Sequence, residues 1–426
     1  MAKISRRRFG ALMGATAAGA AASSLAAPAV LASAKSRLVV IGGGPGGATT
    51  ARYVAKAGKD VSVTIIEPKQ HFTTCFFSNL YLGGFRALES ITHGYGTLAA
   101  QYGINMMHDV ATEVDRAGKK VKLGRGGEVG YDRLVVSPGI DMRYDAIEGY
   151  SAEASTVMPH AWQAGTQTAV LKRQLEAMED GGTFVMCAPP NPFRCPPGPY
   201  ERVCMVAHYL KTNKPKSKII VLDAKNKFSK QALFQEAWAQ HYDGMIEWLP
   251  QEVTGGVKAV KADSMEIVMD DETVKASVAN VIPAQKAGAI AHQAGLVADS
   301  GWCPIDPHSM QSRKDENIYV VGDASVASAM PKSGFSANSQ AKVAANAILA
   351  DLTGAKKFPA KYRNTCWSLV ATDDGVKVGA DYKGGEEKID VTSKFISKTE
   401  EPADLRAQTA EEANGWYAGI TKDIFG

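Results

Sequence analysis

A glycine-rich turn between two apolar strands constrains the fold of this chain more than any other feature. Residues 38–41 form a continuous apolar run, which is typical of a parallel strand that is covered on both faces. Gly42, Gly44 and Gly47 follow in the spacing G-x-G-x-x-G. In that pattern the first glycine makes a tight turn, the second lets the backbone approach a pyrophosphate, and the third lets a helix pack closely on the strand.

The elements after this turn complete a dinucleotide-binding unit. Residues 48–57 are predicted to form a helix whose N-terminal amides face the phosphates, and residues 61–66 form a second apolar strand. Glu67 follows that strand directly, at the position where an acid accepts hydrogen bonds from a ribose. The order of these elements predicts a nucleotide-binding α/β domain; the alternative is a glycine turn that binds nothing.

The first 34 residues have the pattern of an export signal. Residues 5–9 (SRRRF) match a twin-arginine motif, an alanine-rich run follows, and residues 32–34 (ASA) form a cleavage site. We predict that residues 1–34 are a twin-arginine signal peptide and that the protein is periplasmic; the alternative is an uncleaved membrane anchor. This leader holds the whole net charge of +4, so the balanced remainder predicts no nucleic-acid partner. No later stretch approaches 18 apolar residues, so stable membrane insertion is not predicted either.

Two later strands carry candidate flavin contacts. Residues 131–139 read as an apolar strand that ends in a small-residue turn, with Ser137 and Gly139 as the candidates. This stretch resembles the strand that closes an FAD domain in flavoproteins with two dinucleotide folds. Residues 317–324 form another apolar strand that ends in Gly-Asp, and Asp323 resembles the aspartate that accepts a hydrogen bond from the ribityl chain of FAD.

A helix is predicted next, opening within residues 331–340 and continuing to about residue 351. Its N-terminus is suited to stabilising negative charge on a flavin ring, and Lys332 and Asn338 are the candidate contacts. The alternative is a plain helix with Ser336 as its N-cap.

The middle of the chain is predicted to be a second α/β unit without a nucleotide fingerprint. After its first strand, residues 187–201 are rich in proline where a pyridine-nucleotide domain would have glycines. Prolines lack amide donors and block a close phosphate approach, which is evidence against an NAD(P)H site. Asp223, which ends the next strand, is therefore interpreted as structural.

These elements predict an α/β fold with two Rossmann-like dinucleotide-binding-type domains and a smaller C-terminal interface domain. Residues 35–148 and 284–354 are assigned to a discontinuous FAD-binding domain. Residues 149–283 are assigned to the second Rossmann-like domain and residues 355–426 to the C-terminal domain.

The cysteines leave several possibilities open. There are six of them, and six cysteines allow fifteen complete pairings, among which the sequence does not choose. An oxidising compartment permits disulfides. The chain contains neither a C-x-x-C-H haem motif nor paired C-x-x-C zinc motifs, so no metal site is predicted.

Several long and unusual stretches carry a family resemblance over essentially the whole mature chain. They are residues 74–79 (TCFFSN), 192–202 (PFRCPPGPYER), 301–304 (GWCP), 330–334 (MPKSG), 364–366 (NTC) and 423–426 (DIFG). With these stretches the chain resembles the flavoprotein subunit of flavocytochrome c sulfide dehydrogenase, within the FAD-dependent disulfide-reductase-like superfamily.

The resemblance implies a role for four residues and a partner. Cys75 matches the cysteine that binds FAD covalently through an 8α-S-thioether, and Cys195 and Cys366 match a disulfide that lies against the flavin. Glu201 matches a proposed acid/base beside that disulfide, and the partner is a c-type cytochrome subunit. The alternatives from the residues alone are a buried free thiol at Cys75, an inert disulfide, and a surface Glu201 paired with Arg202 or another base.

The resulting expectation is a periplasmic FAD-dependent enzyme that oxidises sulfide to sulfur or polysulfide and reduces a c-type cytochrome. One alternative is a sulfide:quinone oxidoreductase, which would need a membrane-binding C-terminal region; the acidic last 40 residues disfavour it. The other is a flavoprotein component of a sulfur-oxidation complex with little turnover of its own.

Overall fold

The glycine turn lies at the carboxyl end of the central strand of a six-stranded sheet. A computed structural model describes residues 35–426; the predicted signal peptide lies outside the described residues. From one edge to the other the strands are Gln311–Ser312, Asp315–Val320, Arg133–Val136, Ser36–Ile41, Val61–Ile66 and Asn105–Met107. All neighbours are parallel except the first pair. The sheet thus draws strands from both segments predicted to bind FAD, while the domain boundaries stay predictions.

The helices beside this sheet follow the predicted order with one shifted boundary. The predicted strand at 61–66 is confirmed as Val61–Ile66, and all six of its residues are buried. The fingerprint helix is Pro45–Ala57, so it begins three residues before the predicted start. Proline suits the first helical turn because its missing N–H would have no intrahelical partner there. The long helix Gly334–Thr353 packs against this fingerprint helix.

A second parallel sheet forms the middle of the chain. Its strands are, in order, Ile246–Leu249, Lys218–Asp223, Thr183–Ala188 and Val278–Val281. The helix Gly198–Asn213 follows the proline-rich loop after Thr183–Ala188 and is mostly buried. This unit therefore has the order strand, loop, helix and strand of an α/β unit, with prolines in the loop as the sequence shows.

Residues beyond 355 form an antiparallel sheet and a terminal helix. The sheet consists of Lys361–Ala371, Asp374–Gly384 and Ile389–Ile396. The terminal helix Ala403–Phe425 packs against this sheet and the fingerprint helix. Its Asp423 is anchored by hydrogen bonds from the Tyr53 hydroxyl at 3.0 Å and the Asn338 amide at 2.9 Å.

The remaining elements are short. The other α-helices are Ser78–Gly83, Gly96–Tyr102, Ala154–Val157, Thr166–Ala177, Gln231–His241, Gln251–Thr254 and Ala289–Gln293, and the 3₁₀ helices are Glu89–Ile91 and Tyr144–Ala146. The other strands form small antiparallel sheets: His71–Thr73 with Thr92–Gly94; Ala111–Asp115, Lys120–Leu123 and Glu128–Gly130; Ile140–Met142 with Gln285–Ala287; Ala259–Lys261, Glu266–Val268 and Thr273–Lys275. Among residues 35–426, no helix is both long and apolar enough to cross a membrane.

Candidate functional site

A large cleft opens where the parallel strands of the first sheet end. Its empty volume is about 1790 Å³. The predicted contacts that line it are Gly42, Gly44, Glu67, Cys75, Ser137, Gly139 and Asp323. They share this wall because parallel strands present their carboxyl ends at one edge of a sheet, which is where open α/β sheets bind ligands.

Two fingerprint glycines are required by close backbone contacts. Gly42 has φ +99°, and a Cβ there would lie 2.3 Å from the carbonyl oxygen of Ser137. A Cβ at Gly47 would lie 1.9 Å from the carbonyl oxygen of Gly42. Gly47 is not on the cleft wall; it lets the helix approach the turn, which is the role predicted for the third glycine.

Two buried carboxylates face the cleft, and only one of them has hydrogen-bond partners for both of its oxygens. Glu67, which is 9% exposed, accepts hydrogen bonds from the N–H groups of Gly43 at 2.9 Å and Lys69 at 3.0 Å. Asp323 Oδ2 lies 3.4 Å from an Arg194 guanidinium nitrogen, whereas its buried Oδ1 has no partner within the described chain. A buried oxygen without a hydrogen-bond partner is costly, and a ligand hydroxyl beside Asp323 would supply the missing partner. The cleft therefore fits a dinucleotide.

Lys332 and Asn338 do not line the cleft, contrary to the sequence prediction. Lys332 donates to the carbonyl oxygens of Asp323 at 2.7 Å and Ser325 at 2.9 Å. Asn338 donates to the Thr49 hydroxyl at 3.0 Å, besides its bond to the terminal helix. Both side chains therefore join neighbouring elements, because their polar groups form hydrogen bonds within the protein.

The helix N-terminus near these residues does line the cleft, with a different cap from the predicted alternative. Ser333 is the N-cap, because its hydroxyl accepts from the Ser336 N–H at 3.0 Å. Ser336 as N-cap was wrong because the helix begins earlier, at Gly334. A Cβ at Gly334 would lie 2.7 Å from the Phe76 ring, so glycine lets the helix start approach the loop that carries Cys75.

A smaller cavity adjoins the cleft and contains the predicted reactive residues. Its empty volume is about 710 Å³. Cys75, Cys195, Glu201 and Cys366 all line it, although up to 291 positions separate them in the chain. The two spaces share walls at Cys75, Arg194, Ser333 and Gly334. Cys75 thus lies at the junction of the dinucleotide cleft and the thiol-lined cavity.

The loop that carries Cys75 is held by hydrogen bonds and aromatic packing. The Ser78 hydroxyl donates to the Cys75 carbonyl at 2.6 Å, and the Thr74 and Tyr417 hydroxyls are 3.0 Å apart. Phe77, at φ +69°, stacks on the Tyr417 ring with centroids 4.4 Å apart. The terminal helix therefore fixes the loop conformation and, with it, the position of Cys75.

Cys195 and Cys366 approach the cavity from different elements, and the structure holds both as free cysteines. Cys195 lies in the proline-rich loop at φ +60°, with its N–H bonded to the Lys332 carbonyl at 2.7 Å. Cys366 lies in the first strand of the antiparallel sheet, and its Sγ accepts from the Asn364 amide at 3.3 Å. Burial raises the pKa of both thiols, that of Cys195 well above its ordinary value. Their disulfide stays a prediction.

Glu201 is partly buried and lines the cavity, so it is not a solvated surface residue. Its carboxylate accepts from the Asn79 amide at 2.7 Å and the Leu369 N–H at 3.0 Å. Burial raises the pKa of Glu201 despite these hydrogen bonds. The alternative of a surface pair with Arg202 is wrong, because that guanidinium donates to Asn79 at 2.9 Å and Asn280 at 3.0 Å.

Lys230 is a cavity neighbour that the sequence reasoning missed. Its side chain is buried, and Nζ donates to the carbonyl of Cys366 at 3.2 Å and the Ser368 hydroxyl at 2.8 Å. Cys366 is 136 positions away in the chain. No local pattern around Lys230 distinguishes it from a solvated lysine, so only the folded chain reveals this proximity.

The nucleotide position of the second sheet is filled by side chains. Asp223 accepts hydrogen bonds from Lys225 at 2.6 Å, Tyr200 at 2.5 Å and Trp248 at 3.0 Å. Lys225 also donates to the Pro189 carbonyl at 2.6 Å. The carboxylate of Asp223 thus accepts hydrogen bonds from the protein's own side chains, in agreement with the structural interpretation of this residue.

The other three cysteines are buried and free. Burial raises the pKa of Cys187 to about 12 and that of Cys303 to about 12. The Sγ of Cys204 accepts from the Trp238 indole at 3.2 Å, and burial raises its pKa also. Cys187 and Cys204 are thus buried free thiols in the structure and do not form a disulfide with each other.

Three family models match the chain. The model of the central part of the sulfide dehydrogenase (flavocytochrome c) flavoprotein chain matches residues 168–283. The flavin-binding model of flavocytochrome c sulphide dehydrogenase matches residues 359–425. The pyridine nucleotide-disulphide oxidoreductase model matches residues 36–173. Together they cover four of the six strands of the first sheet, the second sheet and the C-terminal region, whereas the strands Gln311–Ser312 and Asp315–Val320 lie outside the matches.

Individual relatives agree with these matches. The sulfide dehydrogenase (flavocytochrome c) flavoprotein chain of Chlorobaculum thiosulfatiphilum is 58% identical over 34 residues, which cover 8% of this chain and 71% of that sequence. Mouse mitochondrial sulfide:quinone oxidoreductase is 21% identical over 304 residues, 65% of this chain and 63% of that protein. The structure of sulfide:quinone oxidoreductase from Aquifex aeolicus superposes with a TM-score of 0.71 at 18% identity, covering 92% of each chain. This last likeness concerns the fold.

Proposed function

The chain belongs to the family of flavocytochrome c sulfide dehydrogenase flavoprotein chains, and we propose that it oxidises sulfide to sulfur or polysulfide with FAD and a c-type cytochrome as acceptor. One observation carries this proposal: Cys75, Cys195, Glu201 and Cys366 line a single cavity that opens into a dinucleotide cleft. A thiol pair can form the disulfide that hydrosulfide attacks, and a partly buried acid in the same cavity can transfer the proton of the sulfur species.

The chain's residues would divide the chemistry as follows. FAD, held covalently through Cys75 in this proposal, would accept electron pairs from thiols and release electrons one at a time. Cys195 and Cys366 would form the disulfide that hydrosulfide attacks, giving a persulfide on one cysteine and a thiolate on the other. Glu201, whose pKa burial raises, would take up or return the proton of the sulfur species at neutral pH.

The terminal helix favours a cytochrome over a quinone as the acceptor. Its apolar side chains Tyr417, Ile420, Ile424 and Phe425 are buried against the rest of the protein. A helix that uses its apolar face internally has none left to enter a bilayer, where quinones reside. The sulfide:quinone oxidoreductase fold of the neighbours keeps the quinone-linked reaction as the second candidate. The periplasmic location is proposed on the twin-arginine pattern of the leader.

An anaerobic flavin spectrum tests the proposal and its rivals. We expect micromolar sulfide to bleach the bound flavin and oxidised c-type cytochrome to restore it, whereas NADH should leave it unchanged because Asp223 is occupied by Lys225 and Tyr200. Restoration by a short-chain ubiquinone but not by cytochrome would favour the second candidate. A flavin that is bleached by NADH and not by sulfide, or by neither reductant, would refute sulfide oxidation by this chain.

A further inference from the structure

We propose that hydrosulfide attacks Sγ of Cys195, that Cys366 leaves as the thiolate, and that Lys230 is the positioning residue that compensates the charge of this thiolate. The inference rests on the proposed function, since it assigns direction to the disulfide-opening step. It follows from an asymmetry between the surroundings of the two sulfurs.

Lys230 is a buried amine whose hydrogen-bond partners carry no charge. Only 5% of the residue is exposed, and Nζ donates to the Ser368 hydroxyl at 2.8 Å and the carbonyls of Cys366 at 3.2 Å and Val376 at 3.3 Å. Its backbone has φ +62°, in the left-handed region that favours glycine. A buried ammonium with neutral partners is costly unless an anion forms nearby. The chain therefore holds a positive charge ready beside Cys366.

Cys366 has further groups that favour its thiolate. The Asn364 amide donates to its Sγ at 3.3 Å, and the Asn364 oxygen in turn accepts from the Ser333 hydroxyl at 2.6 Å. Burial raises the pKa of Cys366, but the Asn364 hydrogen bond and the Lys230 ammonium act in the opposite direction. The same helix cap that borders the flavin cleft thus orients the donor to this sulfur.

The surroundings of Cys195 favour its thiolate less. Burial raises its pKa well above the ordinary value, and the proximity of Cys366 and Glu201 raises it further, while Lys230 lowers it. A thiol with a lower pKa is the better leaving group in thiol–disulfide exchange. Cys366 is therefore the sulfur that departs, and Cys195 is the sulfur that is attacked.

The step balances without a further reagent. The hydrosulfide sulfur forms a bond to Cys195 Sγ while the bond between the two cysteines breaks, and its electron pair stays on Cys366. The incoming sulfur is oxidised by one unit and Cys366 is reduced by one unit. The persulfide on Cys195 keeps the hydrosulfide proton or passes it to Glu201, which lines the same cavity.

The effect of Lys230 should depend on pH in a defined way. Burial lowers the pKa of Lys230 to about 8, against the opposing influence of Cys366, Glu201, Cys195 and Cys204, which face it from the strand, the proline-rich loop and helix Gly198–Asn213. The amine is thus charged below about pH 8 and neutral above it. Its support for the Cys366 thiolate should be present below that pH and should disappear above it.

The test measures thiolate reactivity in the holoenzyme, independently of sulfide oxidation. The protein is reduced with a phosphine and trapped with methyl methanethiosulfonate over a range of pH, and each cysteine peptide is quantified by mass spectrometry. We expect Cys366 to react at a lower pH than Cys195. Lys230→Met should lower Cys366 trapping at pH 7 by about tenfold, because its ammonium no longer lowers the pKa of this thiol, and Lys230→Arg should restore the trapping. Lys172→Met is the matched control, because Lys172 is also buried but donates to the distant Leu82 carbonyl at 3.0 Å.

The outcomes separate this inference from the proposed function. Faster trapping of Cys195 than of Cys366 in the unaltered protein would overturn the direction of attack, whether or not the variants fold. Equal effects of Lys230→Met and Lys172→Met would overturn the role of Lys230. Where sulfide reduces the flavin, a single turnover should leave the extra sulfur on Cys195, and finding it on Cys366 would again refute the inference. Absence of flavin reduction with the trapping order intact would refute the proposed function instead.

Discussion

Replacing Glu201 with glutamine removes a proton-transfer group while keeping its shape. Glutamine can still accept from the Leu369 N–H, which now lies 3.0 Å from the carboxylate, through its single carbonyl oxygen. Its amide then faces the Asn79 amide, which donates to Glu201 at 2.7 Å, so that hydrogen bond is lost. The substitution therefore changes the charge and one contact at a partly buried position without creating a cavity.

The loss of catalytic rate expected for this variant is far larger than its loss of folding stability could explain. Loss of the hydrogen bond to a charged group costs about 1.5–3 kcal/mol. Against this, burial raises the pKa of Glu201, so the folded protein binds this proton more tightly than the unfolded chain. The protonated carboxyl therefore stabilises the fold below the unfolded-state pKa, and this stabilisation is lost as pH rises through the folded-state pKa. At pH 7, removing the charge of the carboxylate offsets part of the free energy lost with the hydrogen bond. General acid/base catalysis contributes roughly 10²–10⁴ in rate, which is far more than a partial loss of folded protein can mimic.

The assay is anaerobic stopped-flow reduction of the bound flavin by sulfide across pH, with thermal unfolding measured in parallel. We expect Glu201→Gln to slow reduction by about a hundredfold at pH 7 and to abolish the pH-dependent limb that belongs to Glu201. Glu113→Gln is the control, since Glu113 is exposed and pairs with Lys122 in a small hairpin. A Glu201→Gln protein with an unaltered rate and pH profile would remove Glu201 from the mechanism.

Two further substitutions test the cofactor site, and a third tests the packing of the glycine turn. Cys75→Ser should fold normally but release its flavin into the supernatant on acid precipitation, whereas a flavin that is equally extractable from the unaltered protein would exclude the thioether. In the Cys75→Ser background, Asp323→Ala should weaken FAD retention on gel filtration by about tenfold or more, since the unpaired Oδ1 would no longer meet a ligand hydroxyl. Gly47→Ala should lower the free energy of unfolding by about 3 kcal/mol or more, because its Cβ would lie 1.9 Å from the Gly42 carbonyl oxygen. Gly96→Ala, with open space at its Cβ, should stay within about 0.5 kcal/mol in the same denaturation experiment.

The first nucleotide-binding unit could be predicted because its signals are local. The strand Val61–Ile66 was recognisable from a continuous apolar run, and the role of Gly47 from its spacing to Gly42. Each of these signals spans a few residues whose physical requirement, a buried strand or a backbone contact without Cβ, is written in adjacent positions. The family resemblance likewise rested on short contiguous stretches, and the family matches confirm it.

Polar side chains near the predicted turn show where such local reasoning fails. Lys332 and Asn338 lie in the right segment, but their donors turn to the Ser325 carbonyl and the Thr49 hydroxyl within the protein. The residue type of Ser336 suits an N-cap, yet Ser333 takes that position in the structure. Residue type and segment do not determine the rotamer, so a polar residue beside a cleft serves the ligand or the fold according to its neighbours.

A parallel α/β architecture, the dinucleotide turn and a second unit with prolines in place of its glycines could all be predicted before folding was considered. The folded chain was needed to show that Cys75, Glu201 and Cys366 share one cavity, and that Lys230 lies beside it. The difference lies in the range of the interactions. Strand periodicity and glycine turns arise from contacts between neighbours in the chain, whereas the surroundings of each thiol come from elements more than a hundred positions apart, which meet only when both sheets and the terminal region have packed.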